Sequence, residues 1–542
     1  MTLSQRIWRI GNFITLMLAL LTLRLVYWQL VRGQDLQPVA LDPVKAAAHY
    51  LARADGRAPE GEATPDMEQI VAQGELPRPV VQRTEELLAE IIRGSIYDRN
   101  GRPLAYNLEG EGGQRLRFYT ESSLAHAVGY VSGLGVGAAG IEHSLNDTLL
   151  GLDRLDAQVG QLIHQPITGS DVTLTIDSRV QRAAAQALGG RPGAVVALEA
   201  DTGEVLAMVS APGFDPNRIL EQEYVQSLID GCNDQPGCRS PLFNRAAQGL
   251  YTPGSTWKTV TLIGALDTGR VTRDTVFDFG EPRSGPNGSY YVYEVGGAAV
   301  IDPNHAERKL DLTRSYAVSA NAAFARMGDE MGADTLIEYA ARLGFSREEG
   351  GAPPIEIDAS ASRLANDLQT LYSNDYFRAV TAIGQGELLA TPLGMALVVT
   401  AVVNDGDIPA PHLLQTVHAP SGRLIQGGLE GDWIRNTMQP ETARQVREMM
   451  ISVVTSGSGR SAAVPGLTVG GKTGTAQLGD TMAPHAWFTG FASDGTRTVA
   501  IAVIVENSGV GAQVAAPIFA QVADAALRHP GEPVQEIVSP IP

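Results

Sequence analysis

The sequence contains very little lysine, although positive charge itself is not scarce. Lysine occurs at only four positions, 45, 258, 309 and 472, and the rest of the 41 basic side chains are arginine. Arginine does not deprotonate in proteins, whereas burial can lower the pKa of a lysine enough for it to act as a base. A chain that otherwise uses arginine therefore makes Lys258 and Lys472 candidates for proton transfer.

Cysteine is scarcer still, and its placement argues against a metal site. No nearby histidine or further cysteine completes a zinc set with Cys232 and Cys238. Outside the cytoplasm, two cysteines at this short spacing are expected to form a disulfide. We therefore predict a Cys232–Cys238 disulfide that pins a surface loop, and no bound metal.

The chain also lacks an excess of positive charge. Its formal net charge is -19 and no basic face is evident, which argues against nucleic acid as a partner. With 542 residues, of which 44% are hydrophobic, the chain is long enough for two or more domains.

Only one apolar run is long enough to cross a bilayer, and it spans residues 10–31. Arg6 and Arg9 precede it, which favours a cytoplasmic N-terminus at residues 1–9. Arg24 lies near the far end, where its side chain can extend toward the interface. We predict an uncleaved single-pass anchor in the cell membrane with the rest of the chain extracytoplasmic; a cleaved signal peptide is the alternative.

Strand and helix signals predict an α+β fold. A five-stranded, mostly antiparallel sheet is expected, with a mainly helical insertion over 254–455 and a last helix over 513–527 covering the sheet. An earlier helix, 178–188, has Ser178 as its expected cap. The strands of the sheet are expected at 193–199, 204–210, 467–477, 485–492 and 498–506.

The stretch 252–261 holds the first catalytic signal. Pro253 and Gly254 form a turn that delivers Ser255 to the start of an apolar helical run. Ser255 and Lys258 are three residues apart, so they share one face of a helix. A serine hydroxyl becomes a good nucleophile only when a base takes its proton, and lysine can be that base.

Two further motifs make a chance match improbable. Ser319 and Asn321 are separated by one residue, so a short turn can aim a hydroxyl and an amide the same way. Lys472, Thr473, Gly474 and Thr475 follow on a predicted strand, where the glycine leaves the backbone open to a ligand. Ser-x-x-Lys, Ser-x-Asn and Lys-Thr-Gly in this order form a specific combination.

With these motifs the chain resembles the penicillin-recognising serine transpeptidases, and most closely the compact, actinobacterial-type class B penicillin-binding proteins. The segments 93–101 and 137–142 resemble the pedestal of that family, and 197–204, 384–392 and 485–491 resemble its catalytic domain. The resemblance implies a linker and β-rich pedestal over 32–165, a transpeptidase domain with helices on both faces of its sheet over 166–530, and a tail over 531–542.

The resemblance implies peptidoglycan D,D-transpeptidation without a cofactor. Ser255 would attack a stem-peptide carbonyl and Lys258 would take its proton. Ser319 and Lys472 would relay the proton to the leaving D-alanine, and Asn321 would hold the substrate amide. Thr473 and Thr475 would hold the terminal carboxylate beside Gly474, while the backbone N–H groups of Ser255 and Thr475 would form the oxyanion hole. β-Lactams would acylate the same serine.

The resemblance also implies a partner. Class B proteins lack a glycan polymerase and work beside a multi-pass membrane polymerase of the shape, elongation, division and sporulation group. The anchor and the pedestal are the expected contact regions, and Arg24 supports this because a charge within an anchor often faces protein.

Two other functions remain open. A D,D-carboxypeptidase or β-lactamase shares the three motifs, although the lactamase would need a glutamate base. Glu356 has a suitable spacing, but the residues after it lack the expected asparagine. The other possibility is a β-lactam sensor or a scaffold of the wall-synthesis complex, whose acyl-enzyme would be stable.

Overall fold

The computed structural model describes residues 91–528, apart from 111–114, 133–135, 155–166, 234–239, 287, 346–350 and 478–481. The predicted anchor lies outside these residues, as do Cys238 and the side chain of Cys232, so the anchor and the disulfide stay predictions. Within the part of the chain that is described, no helix is both long enough and apolar enough to cross a membrane.

A five-stranded antiparallel sheet forms the centre of the fold, as predicted. The order of its strands is Thr468–Ala476, His485–Ser493, Thr498–Val505, Gly193–Glu199, Val205–Ala211. Successive side chains of a strand point to opposite faces, so a sheet that is covered on both sides has apolar residues throughout. All seven residues of Gly193–Glu199 are buried, which explains why the six residues before Glu199 are apolar or glycine.

Helices cover both faces of this sheet. Val195 and Ala197 belong to one apolar core with Ser178–Leu188 and Gly511–Arg528, whereas Val196 belongs to a second core with the central helices. The helices are Gly140–Ser144, Asn146–Leu150, Ser178–Leu188, Gln222–Asn233, Lys258–Asp267, Leu312–Ala317, Asn321–Arg342, Gln369–Ser373, Asp375–Ala382, Pro392–Val403, Pro440–Ser456 and Gly511–Arg528. The α+β class and its two-sided packing are therefore confirmed.

A second, six-stranded sheet joins the N-terminal part of the described chain to the rest. Its order is Leu424–Gly427, Leu414–His418, Asp171–Leu174, Ile96–Tyr97, Pro103–Glu109, Arg115–Tyr119. Strands on both sides of the domain boundary predicted at residue 165 thus pair in one sheet. Two smaller antiparallel pairs join Tyr130–Val131 to Gly137–Ala139 and Ile408–Pro409 to Asp432–Ile434.

The region 254–455 contains more strand than the sequence indicated. The strands between the helices Lys258–Asp267 and Leu312–Ala317 are Val276–Asp278, Arg283–Gly285, Gly288–Val295, Ala298–Asp302 and Lys309–Asp311. Three of these have only three residues, too few to show an alternation, so pairing with a partner strand decides their conformation.

The cap of the helix Ser178–Leu188 also differs from the prediction. Asp177, not Ser178, accepts the backbone N–H of Arg179, and the Ser178 hydroxyl donates to Asp98 at 2.7 Å. Both residue types cap helices well, so only the tertiary contact with Asp98 distinguishes them.

Candidate active site

Ser255 lies in a tight 3-10 turn, Gly254–Trp257, which we call the serine turn. Gly254 has a φ of +55°, a left-handed conformation that glycine adopts without strain. Trp257 is fully buried and packs edge-on against Phe345 with ring centroids 4.7 Å apart. The turn is therefore held rigidly, and the half-buried Ser255 lines a cleft of about 800 Å³.

The segment 384–386, part of the family resemblance, supports the serine turn from behind. Gly254 N–H donates to the Gly384 carbonyl at 2.9 Å. A Cβ at Gly384 would lie 1.8 Å from the Gly254 carbonyl oxygen, so only glycine allows this approach. Gly386 and Gln385 also line the cleft.

Lys258 begins the helix Lys258–Asp267 and is fully buried. Its Nζ donates to Asn321 Oδ1 at 2.6 Å and to the Ser319 carbonyl at 2.8 Å, and it lies 3.2 Å from Ser319 Oγ. Burial lowers the pKa of Lys258 to about 7, and the carboxylate of Asp302 opposes this shift. A lysine in this state can take a proton near neutral pH.

Ser319 connects the two buried lysines. It precedes the helix Asn321–Arg342 with a φ of +64°, a strained conformation for a residue other than glycine. Its Oγ receives Lys472 Nζ at 2.9 Å as well as the Lys258 contact. The two lysine side chains are thus bridged by one hydroxyl, which permits a proton relay between them.

Lys472 lies on Thr468–Ala476, the edge strand of the five-stranded sheet, which pairs within that sheet with one neighbour only. The side chain is fully buried, and its Nζ also donates to the Thr473 carbonyl at 3.2 Å. Burial holds the pKa of Lys472 well below its usual value, and the nearby Lys258 lowers it further.

The alternation of the edge strand separates two sets of side chains. Thr473, Thr475 and Gln477 line the cleft, whereas Lys472 lies buried beneath it. Gly474 also makes room for the serine turn, because a Cβ at this position would lie 2.8 Å from the Pro253 carbonyl oxygen. The predicted approach of a ligand to Gly474 stays a prediction.

Three polar residues at the site were not predicted from the sequence. Ser458 pairs its hydroxyl with that of Thr473 at 2.8 Å, and Asn304 Nδ2 donates to the Ser319 carbonyl at 2.7 Å. Asp302 is fully buried and accepts the N–H of Ala322 at 2.8 Å. An Asp-Pro-Asn turn and a Ser-Gly-Ser-Gly segment were the only local signals, and both are common in loops.

Glu356 is occupied elsewhere. Its two carboxylate oxygens accept the backbone N–H groups of Leu413 and Leu414 at 2.8 and 3.0 Å. The Glu356 carboxylate thus serves as an acceptor for backbone N–H groups. Glu356 is not among the residues that line the cleft. Glu356 is therefore not placed to act as a lactamase-type base.

A serine on a rigid turn beside a buried, partly deprotonated lysine defines the class of a serine acyl-transfer enzyme. The model of the penicillin binding protein transpeptidase domain matches residues 193–524. The chain belongs to the penicillin-binding protein transpeptidase family. The identification from sequence and the predicted enzyme class, a serine D,D-transpeptidase of peptidoglycan, are confirmed.

Relatives and solved structures agree with this assignment. The chain is 30% identical over 469 residues to the peptidoglycan D,D-transpeptidase MrdA of Acinetobacter baumannii, covering 75% of this chain and 66% of the relative. It is 32% identical to the peptidoglycan D,D-transpeptidase PbpA of Mycolicibacterium smegmatis, covering 81% and 89%.

Among solved structures, the D,D-transpeptidase domain from Eggerthella lenta has a TM-score of 0.69 at 33% identity, covering 81% of this chain and 99% of that one. Penicillin-binding protein A of M. tuberculosis, as a ceftriaxone acyl-enzyme, has a TM-score of 0.70 at 29% identity, covering 82% and 100%.

Proposed function

We propose that Ser255 is the nucleophile that cross-links peptidoglycan stem peptides. Its Oγ attacks the carbonyl of the penultimate D-alanine, the terminal D-alanine leaves, and an amine of a second stem peptide takes the acyl group. The observation that carries this proposal is the buried Lys258, which begins the helix that follows the serine turn and whose pKa burial lowers to about 7. β-Lactams acylate the same oxygen.

The proton follows the hydrogen-bonded chain of the site. Lys258 takes the proton of Ser255, and Ser319, 3.2 Å from one lysine and 2.9 Å from the other, connects it to Lys472. The departing D-alanine nitrogen receives a proton from this chain. Asn321 fixes Lys258 through Oδ1, so the lone pair of the base keeps one direction.

The backbone of the serine turn and that of the edge strand supply the oxyanion hole. The Cβ position of Gly254 lies 3.0 Å from the Thr475 carbonyl oxygen, so turn and strand are in close contact. The N–H groups of Ser255 and Thr475 are therefore suitable donors to a developing oxyanion. Removal of one such donor typically costs about 10²-fold or more in rate.

The substrate carboxylate binds beside the hydroxyls of Ser458, Thr473 and Thr475. Burial separates Lys472 from counter-charges. The substrate carboxylate supplies a negative charge when it binds. A charged Lys472 then favours the neutral form of Lys258 by like-charge repulsion. Substrate binding thereby raises the fraction of enzyme whose base is ready.

The test is covalent labelling of the Ser255→Ala variant with a fluorescent penicillin. The variant should lose labelling completely while it keeps the wild-type melting temperature, because only one hydroxyl is removed. Ser458→Ala is the matched control and should still be labelled, more slowly. An adduct located by mass spectrometry on a residue other than Ser255 would refute the assignment.

Turnover separates the transpeptidase from a sensor, since both form an acyl-enzyme. Incubation with a stem-peptide donor and an acceptor amine should release D-alanine and yield the cross-linked product. Release of D-alanine with hydrolysed donor as the main product would indicate a carboxypeptidase, and an acyl-enzyme that persists would indicate a sensor.

We further propose that residues 10–31 anchor the protein in the cell membrane, and that a multi-pass glycan polymerase binds the anchor and the pedestal. The pedestal offers an exposed apolar pair, since Leu108 and Leu116 face each other across two strands and are 43% and 52% exposed. Exposed apolar side chains of this kind favour protein contacts.

Co-purification tests this partner. Exchange of residues 1–31 for an unrelated single-span anchor, and separately Leu108→Asp with Leu116→Asp, should each weaken the complex without changing penicillin acylation. Leu424→Asp is the control, because Leu424 is also exposed but lies at the opposite edge of the same sheet. Undiminished co-purification in both variants would leave the pedestal as a spacer.

A further inference from the structure

The segment 301–304, here called the loop, comprises the end of the strand Ala298–Asp302 and the turn that follows it. It contacts the second catalytic motif at two points and the next residue, Ala322, at a third, although it lies outside all three motifs. The Ile301 carbonyl accepts Asn321 Nδ2 at 3.0 Å, which turns Asn321 Oδ1 toward Lys258. Asn304 Nδ2 donates to the Ser319 carbonyl at 2.7 Å, and that carbonyl also accepts Lys258 Nζ. The loop therefore determines where two acceptors of the general base lie.

Asp302, between these two contacts, is the charged member of the loop. Its carboxylate is fully buried, and Oδ2 accepts the N–H of Ala322 in the first turn of the helix that begins with Asn321. An anion at a helix N-terminus is favoured by the orphan N–H groups and the helix dipole. The carboxylate thus holds the helix start that carries Asn321.

A buried carboxylate needs compensation, and Asp302 has three sources. His305 Nε2 lies 3.3 Å from Oδ2, with its ring stacked on Tyr291 at 5.0 Å. Burial opposes ionisation of Asp302, but the contact with His305, the nearby Lys258 and the hydrogen bond from Ala322 hold the pKa of Asp302 below its usual value. Among the described residues, Lys258 and Lys472 are the buried lysines of the site, and Asp302 is the acidic group that interacts with Lys258.

We propose that Asp302 is a positioning residue for transpeptidation, which fixes the Asn321 helix start and supplies the buried negative charge that balances Lys258. It does not touch the substrate, because its carboxylate is enclosed. Its charge sets how strongly Lys258 holds a proton, and its hydrogen bond sets where Asn321 points. The inference rests on the proposed roles of Ser255 and Lys258.

If Asp302 acts through its charge, its replacement should have an effect that a purely structural role would not produce. The ionised Asp302 favours the ammonium form of Lys258, so its removal should make Lys258 lose its proton at lower pH. In Asp302→Asn, the amide oxygen can still accept the Ala322 N–H, but the charge is gone. When the acylation rate is plotted against pH, its rise on the acid side should shift to lower pH by roughly one unit; this rise is called the acid limb. The plateau rate should fall because the base is weaker.

The experiment measures the second-order rate of acylation of the full chain by a fluorescent penicillin from pH 5 to 9. Asn304→Ala is the matched control, since it removes a contact of the same loop without changing charge; its plateau should fall while its acid limb stays in place. His305→Gln keeps a donor near the carboxylate and should not move the limb to lower pH, which separates titration of the ring from the charge of Asp302.

Each outcome decides the proposal. An acid limb that moves only in Asp302→Asn supports it. A limb that stays in place in that variant, or moves equally in Asn304→Ala or His305→Gln, overturns it. Asp302→Ser is a second neutral variant if the first does not fold. A Ser255 adduct in the wild type supports the proposed function independently of the pH profiles. Absence of that adduct would refute the proposed function, separately from the proposal for Asp302.

Discussion

Replacement of Lys258 by methionine should change stability in a strongly pH-dependent way. Burial lowers the pKa of Lys258 from 10.5 to about 7, and this difference corresponds to about 5 kcal/mol between the two protonation states. Because the folded pKa is the lower one, the unfolded chain binds more protons between about pH 7 and 10.5. The destabilisation is therefore fully present below pH 7 and disappears as pH rises to 10.5.

Methionine is neutral and similar in length, so it removes this penalty. The penalty is about 4 kcal/mol at pH 7 and about 2 kcal/mol at pH 9. Methionine also leaves the Ser319 carbonyl and Asn321 Oδ1 without their donor, at roughly 1–3 kcal/mol each, but this loss is nearly independent of pH. The stability of the variant relative to wild type should thus fall by about 2 kcal/mol from pH 7 to pH 9. Loss of the Lys258 charge relieves repulsion on Lys472, which acts in the same direction.

The assay is urea unfolding at the two pH values, followed by tryptophan fluorescence. Lys309→Met serves as the control, because the Lys309 side chain is 64% exposed and its replacement should give no pH-dependent difference. A relative stability of Lys258→Met that is equal at pH 7 and pH 9 would mean that Lys258 keeps an ordinary pKa when folded, and the argument for it as the base would fail.

Other predictions concern the base, the turn and the anchor. Lys258→Arg should acylate nearly as slowly as Lys258→Ala, since the charge is kept and the base is lost; a near wild-type rate would make Lys258 a structural cation. Gly474→Ala should slow acylation at least about tenfold, because the new Cβ displaces the serine turn, whereas Gly427→Ala, which meets open space, should not. Deletion of residues 1–31 should leave acylation intact, and a folded truncation that no longer acylates would show that this segment helps to build the site.

The sequence alone determined the class of the enzyme and its central sheet. Long, mainly apolar strands such as 193–199 can be predicted from the sequence, because burial on both faces removes polar positions and leaves a continuous apolar run. Ser255, Lys258 and Lys472 could be predicted as candidate catalytic residues because nucleophilic catalysis restricts residue type and local spacing, and because lysine is otherwise rare in this chain.

The short strands between the motifs could not be predicted from the sequence, and neither could the helix cap at Asp177. Their conformations depend on partners distant in the chain, such as the Asp98 carboxylate that engages Ser178 across 80 residues. Local propensity is weak for segments of two to five residues, and tertiary contacts override it.

Only the tertiary structure decided how the site is assembled. Ser319 bridges lysines that lie 61 and 153 positions away, and Asp302, at the end of a strand, interacts electrostatically with Lys258 at the start of a helix. A glycine is required at position 474 because a Cβ there would clash with the Pro253 carbonyl, and no local sequence pattern predicts this contact. The physical reason is that burial sets the pKa values and the steric limits of the site, and burial is a property of the packed chain, not of any one segment.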